Sequence, residues 1–185
     1  DGEIGQSLLD EFQGSGIKAI GFWENGFREL TNNTKEVATP ADLAGMKIRT
    51  MENAVHMATY TALGATPTAM AWGEIFSALQ QGTVDGQENP PVNILNDKTY
   101  EVQKYMVLDK HIASIVTFAI SEKFLDSLPE DLQKVVTDAA ETVTPEASEV
   151  CKKLNDEGVA KLEEYGMEVY TPTEAELEDW HSAMR

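Results

Sequence analysis

Apolar positions recur along this chain with two periods, and together they mark out an α/β protein. Ile4, Leu8, Leu9 and Phe12 repeat at helical spacing and predict a helix that Gly14 and Gly16 stop. IKAIGFW then reads as a short apolar strand, with Asn25-Gly26 as a turn signal after it. TPADLAG predicts a single helical turn, with Thr39 as cap, Pro40 in the first position and Gly45 at the exit. MKIRT is a short strand, and Asn53 caps the helix AVHMATYTAL that Gly64 ends. Trp72 opens a further helix with Ile75, Phe76 and Leu79 on its buried stripe and Gly82 at its close. TVDGQEN is a strand that Pro90 and Pro91 terminate, since neither can donate to a ladder.

In the second half, Thr99–Leu108 reads as helical and then extended, and HIASIVTFAIS as a long strand. Ser127 or Pro129 starts the main helical run. Pro145 interrupts it, while Val150, Leu154, Val159 and Leu162 continue the apolar face, so one kinked long helix is expected. MEVYT is a last strand and TEAELEDWHSAM a closing helix capped by Thr173. Cys151 is expected as a small buried residue on the long helix, and His56 as a surface or packing histidine.

Composition narrows the function classes. At 185 residues the chain can bury a proper core as one large domain or two small ones. A formal charge of −18 argues against nucleic acid, which needs clustered Lys and Arg, and against binding to anionic membrane surfaces. With one cysteine, an intrachain disulfide and a cysteine-based zinc site are excluded. No apolar run approaches the ~20 residues of a membrane span, and no signal peptide opens the chain, as would hold for a mature secreted protein. Asn32-Asn33-Thr34 is formally a glycosylation sequon.

The candidate chemistry lies between Lys47 and Pro91. Arg49 ends one strand, Asn89 ends another and Trp72 opens a helix, so a cation, a neutral amide and an aromatic plate stand where strands stop. Ligands of open α/β sheets collect at the carboxyl ends of strands, and an arginine fork matches a carboxylate with two parallel hydrogen bonds. A small organic anion is the guest this suggests. Asp85, Glu88 and Asn89 form a possible metal trio, but strand alternation sends neighbours to opposite faces, so neither a metal nor a cofactor is expected. No phosphate loop, nucleophile elbow, His-rich site or repeat is present.

MKIRT, GATPTAMAWGEIFSALQQGTVDGQENP and KTYEVQKYMVLDKHI closely resemble the DctP-type solute-binding proteins of tripartite ATP-independent periplasmic (TRAP) transporters, over about Gly21 to Tyr170. The resemblance implies a two-lobed fold of the periplasmic-binding-protein type, with mixed sheets flanked by helices and a long helix spanning the lobes. Residues 1–27 and 115–154 would belong to lobe I, residues 28–114 and 155–185 to lobe II, with a hinge near 114–117. It also implies that roughly the amino-terminal third of such a protein would precede Asp1. Carried over residue by residue, Arg49 binds the substrate carboxylate, Trp72 walls the ligand, Asn89 contributes its amide, and Arg28 of ENGFR is a further arginine of the site. The implied function is a periplasmic receptor, freed of its signal peptide, that delivers an organic acid such as a C4-dicarboxylate or sugar acid to a TRAP membrane permease. The alternatives are an α/β enzyme acting on a small organic acid, with Glu74, Asp85 or Glu88 as its only nearby bases, and a structural fragment that binds nothing.

Overall fold

A computed structural model describes residues 2–184. Its elements are α1 (Glu3–Asp10), β1 (Ile17–Asn32), β2 (Lys47–Thr50), α2 (Ala54–Ala62), β3 (Thr66–Ala69) and α3 (Ile75–Gln80) in the first part of the chain. There follow β4 (Gly86–Asn89), α4 (Pro91–Asn96), β5 (Tyr105–Ser121), α5 (Glu122–Asp126), α6 (Glu130–Glu164), β6 (Glu168–Tyr170) and α7 (Glu174–Ala183). The strands form one mixed sheet in the order β3-β2-β4-β1-β5-β6. β2 runs parallel to both β3 and β4, β1 is antiparallel to β4, and β5 is parallel to β6. This is the α/β class with a mixed sheet and flanking helices that the sequence predicts.

The chain divides into two compact units. One holds the chain up to Gly26 together with Ser114–Lys153, and the other Phe27–Ala113 together with the chain from Leu154 onward. In the first unit, Trp23 stacks on Phe118 with ring centroids 4.9 Å apart, and its Nε1 donates to Thr144 Oγ1 at 3.2 Å. A Cβ on Gly21 would lie 2.8 Å from that same Thr144 hydroxyl, so only glycine lets the strand approach the helix this closely. Ile4, Leu8, Ile115, Val116, Val135 and Val143 of this unit remain exposed.

The second unit is packed on both sheet faces. On one, Leu30, Ile48 and Val107 meet Tyr60 of α2 and Trp180 of α7, whose indole N–H donates to Ala38 O at 3.3 Å. The other carries two clusters, Ile75, Ala78, Leu79 and Val84 around α3, and Ile94, Met106, Leu162 and Met167 around α4 and the end of α6. Gly86 lets β4 sit between its neighbours, because a Cβ there would come within 2.2 Å of Thr31 O.

Several local expectations change. Asn25-Gly26 is not a turn: both residues lie inside β1, and Gly26 absorbs the irregularity at φ 111° while Asn25 Nδ2 donates to Ser114 Oγ at 3.4 Å. Asn-Gly makes a hairpin only when the flanking strands pair with each other, and here they pair elsewhere. Thr99–Leu108 has only one 3-10 turn, Thr99–Glu101, before β5 begins at Tyr105. Pro91 starts a helix that the sequence reading lacks, using its fixed φ in the first turn. α6 continues through Pro145 as one helix, but Val150 and Leu154 are exposed and Cys151 is only half-buried. The sequon Asn32 is the buried last residue of β1, and its Oδ1 accepts from Thr34 N and Lys35 N at 2.9 and 3.0 Å.

Candidate functional site

Arg49 emerges from the middle of the sheet, on the third residue of β2, where both neighbours pair with it. It is buried, at 3% exposure. Its Nε and Nη2 donate to Met70 O at 3.0 and 2.7 Å, just past the end of β3. Its Nη1 is buried with no hydrogen-bond partner, and among the described residues no carboxylate pairs with it. Burial lowers its pKa, with Glu88 opposing and Arg28 reinforcing that shift. The guanidinium carbon lies 5.4 Å from the Trp72 ring centroid, a cation–π contact. Trp72 itself is 40% exposed and opens a 3-10 turn ahead of α3.

Asn89 ends β4, the strand hydrogen-bonded beside β2. The Ile48↔Gly86 register puts Gln87 level with Arg49, so by alternation Arg49, Gln87 and Asn89 share one face. Asn89 is buried, and its Nδ2 donates to Gln87 Oε1 at 2.8 Å. The structure thus brings Arg49, Trp72 and Asn89 to one side of the β2–β4 edge.

Arg28 goes elsewhere. Glu29↔Asn89 pairing places it, with Glu88, on the opposite face. It is buried and forks onto Glu88: Nε to Oε2, Nη2 to Oε1 at 3.0 Å, and Nη2 also to Glu88 O at 2.7 Å. Of the possible metal trio, Asp85 accepts from Lys47 N at 2.7 Å, Glu88 serves Arg28 and Asn89 serves Gln87.

Around Glu88 lies a charged cluster that sequence reasoning missed. His111 Nε2 stands 3.2 Å from Glu88 Oε2 and 3.1 Å from Tyr60 OH, and its Nδ1 stands 2.8 Å from Asp109 Oδ2. His56, expected at the surface or in packing, is buried with Nδ1 3.5 Å from Glu88 Oε1. Burial alone would raise the Glu88 pKa, but hydrogen bonds from His111, His56 and Arg28 hold it well below the usual carboxyl range. Burial would also lower that of His111, yet Asp109 and Glu88 push it up to about 10. Burial, seconded by Asp109, pushes Glu29 up to about 8, while its Oε2 accepts from Lys110 N at 2.9 Å. Lys110 has φ 48° inside β5, and Glu29 captures its amide there. One signal was available: GQEN is an entirely polar run in a sheet-forming position, and β4 is nonetheless fully buried.

The protonated states of Glu29 and His111 predict an alkaline loss of stability. A group with a raised folded pKa contributes fully below its unfolded value and loses that contribution as pH rises through the folded value. For Glu29 the window runs from 4.5 to about 8, and for His111 from 6.5 to about 10. Where the windows overlap, each group contributes a slope of up to ~1.4 kcal/mol per pH unit, stability falling as pH rises. Urea unfolding between pH 6.5 and 8 should show this decline, and Glu29→Gln should flatten it. An unchanged slope in that variant would exclude Glu29 as a proton-holding group.

Comparison with known proteins follows this geometry. The family model described as bacterial extracellular solute-binding protein, family 7, matches residues 1–185. A solute-binding protein of Verminephrobacter eiseniae is 44% identical over 169 residues, covering 91% of this chain and 50% of the relative. The crystal structure of a TRAP periplasmic solute binding protein from Polaromonas sp. JS666, bound to D-erythronate, superposes with a TM-score of 0.92 at 40% identity, over 100% of this chain and 60% of that one. One from Sulfurospirillum deleyianum with bound succinate gives 0.92 at 35% identity, over 100% and 61%. The chain thus spans about half the length of the curated relative it matches. Over all of that span, a mixed α/β sheet and a TRAP-type likeness coincide, and the chain belongs to the bacterial extracellular solute-binding proteins of family 7.

Proposed function

We propose that this chain is the ligand-holding part of a periplasmic receptor that binds an organic acid and delivers it to a TRAP membrane permease. The observation that carries the reading is the unpartnered, buried Arg49 guanidinium. A desolvated cation with no carboxylate beside it is costly unless an anion joins it. Met70 O fills the Nε/Nη2 edge, leaving the end formed by Nη1 and the second Nη2 proton as the fork for a carboxylate. Trp72 lies against the guanidinium and forms the wall for the carbon skeleton. Asn89, on the same face one strand away, takes a second ligand oxygen. Arg28, which Glu88 holds through Nε and Nη2 on the opposite face, stands outside this set of ligand contacts.

The relatives' ligands support an acid: D-erythronate in one structure and succinate in the other. Among the described residues no helix is long and apolar enough to cross a membrane. The lobe division is proposed at 27/28, 114/115 and 154/155 with the hinge near 114–117; the compact units change over next to each of these positions.

A thermal-shift screen of the protein against organic acids and matched neutral sugars tests this reading. A ligand at 100 times its Kd adds about 2.7 kcal/mol to stability, so acids should raise Tm by several degrees and neutral sugars should not. Equal shifts with both sets, or with neither, would reject an acid receptor.

A further inference from the structure

Glu29 is a buried carboxyl on the same sheet face as Arg49. β1 and β4 pair it with Asn89 in register, and residues paired in this way share a face, so Glu29 joins Asn89, Gln87 and Arg49. Lys110 N can only donate, and it donates to Glu29 Oε2 at 2.9 Å, which leaves Oε1 to carry a proton. The charged groups that bear on Glu29 come from β5. Asp109 disfavours its ionisation, while the Lys110 amide, His111 and the Lys110 charge favour it, each by less. Asp109 is fixed beside it by accepting from Leu30 N at 3.3 Å and by a 2.8 Å contact with His111 Nδ1. From β4 its partner is the uncharged Asn89, and Arg28, its neighbour in sequence, turns to the other face and is held by Glu88. Burial and Asp109 prevail, and the carboxyl titrates at about 8. At neutral pH it therefore adds little negative charge to the face that carries Arg49.

We propose that acid binding and protonation of Glu29 are coupled: the neutral carboxyl admits the anion, and the ionised one disfavours it. The inference rests on the receptor reading above and names a regulation of that same site. Glu29 acts through its charge and needs no contact with the ligand. Distance sets the size of the effect. β1 and β2 are two strand spacings apart, and Glu29 lies two residues along from the level of Arg49, which together give roughly 12 Å. Two like charges at about that distance, with an effective dielectric of ~20, weaken binding by about tenfold. Both side chains are buried, so salt screens this repulsion less than it screens surface pairs.

The sign follows from linkage. Well below the Glu29 value the carboxyl is protonated with or without the acid, and affinity is flat. As pH rises through about 8 the free protein loses that proton and affinity falls. A tenfold coupling moves the titration about one pH unit higher in the complex, so binding near pH ~8.5 should take up about half a proton. Calorimetry with D-erythronate and with succinate, in two buffers of different ionisation enthalpy, reads this uptake on the wild type alone. Glu29→Gln keeps an acceptor for Lys110 N but cannot titrate, so it should abolish the uptake and flatten the affinity profile between about pH 7 and 9. Stopping there keeps His111, raised to about 10, in its charged form. Circular dichroism at each pH checks the fold. If neither acid binds, the same measurement is made with the acid giving the largest thermal shift. Binding without proton uptake by the wild type, or an unchanged profile in Glu29→Gln, overturns the proposal and leaves the receptor reading standing. If no acid binds at any pH, both fall.

Discussion

Arg49→Ala should abolish acid binding while the fold survives. The side chain contributes little to packing that its neighbours need: its internal bonds are two donors to one carbonyl, and removing it takes a poorly solvated cation out of a buried position. The ligand loses far more. Removing one partner of a desolvated carboxylate–guanidinium pair costs about 3–5 kcal/mol, which is roughly a hundredfold to several thousandfold in affinity. Arg49→Lys should fail almost as badly. An ammonium gathers its donors on one nitrogen and cannot hold Met70 O with one edge while presenting a planar fork with another. Calorimetry on both variants, with circular dichroism to check the fold, decides the matter. Full affinity in either variant would remove Arg49 from the site and with it the main support for an acid receptor.

The second large effect falls on stability. Glu88 is fully buried beside Arg28, His56 and His111, and it is the carboxylate that balances the Arg28 charge. Glu88→Ala should therefore destabilise the protein by about 3–5 kcal/mol, because it leaves the buried Arg28 guanidinium without its counter-charge. In a domain of this size that corresponds to a fall in Tm of roughly 6–20 °C. Denaturant unfolding at pH 7 measures it directly. Because the folded pKa of Glu88 is depressed, its contribution is present above the ordinary carboxyl value and is lost as pH falls below it. The difference between wild type and Glu88→Ala should accordingly shrink in acid. A loss below about 1 kcal/mol would show that the pair merely offsets its own desolvation. The double variant Glu88→Leu with Arg28→Met should then be no worse than the single one.

These two residues also show how far the sequence could be read. Arg49 was legible because its signal is local: a cation closing a short apolar strand, four residues after the exit of a cap-and-turn unit whose geometry the sequence spells out. Thr39, Pro40 and Gly45 do form that turn, with Asp42 accepting from Thr39 N at 2.8 Å and Gly45 at φ 78°. Arg28 was legible as a residue of interest only through family resemblance, and its partner was not legible at all. Glu88 is distant in the chain and reaches Arg28 because β4 inserts between β2 and β1 in antiparallel register with β1. His111 and Asp109 come from β5, and His56 and Tyr60 from α2, so the cluster gathers four separate elements.

What the chain determined on its own was therefore the short-range part. Helix and strand periodicity, capping residues and breakers act within a few positions, and they established the α/β class, the strand that presents Arg49, the turn that opens at Trp72 and the end of β4 at Asn89. Tertiary structure alone decided which buried polar groups face each other. Strand order and register set the parity of every side chain, so they sent Arg49, Gln87 and Asn89 to one face and Arg28 with Glu88 to the other. A polar run such as GQEN can be buried only if every donor and acceptor finds a partner, and those partners lie on strands and helices that sequence proximity does not connect.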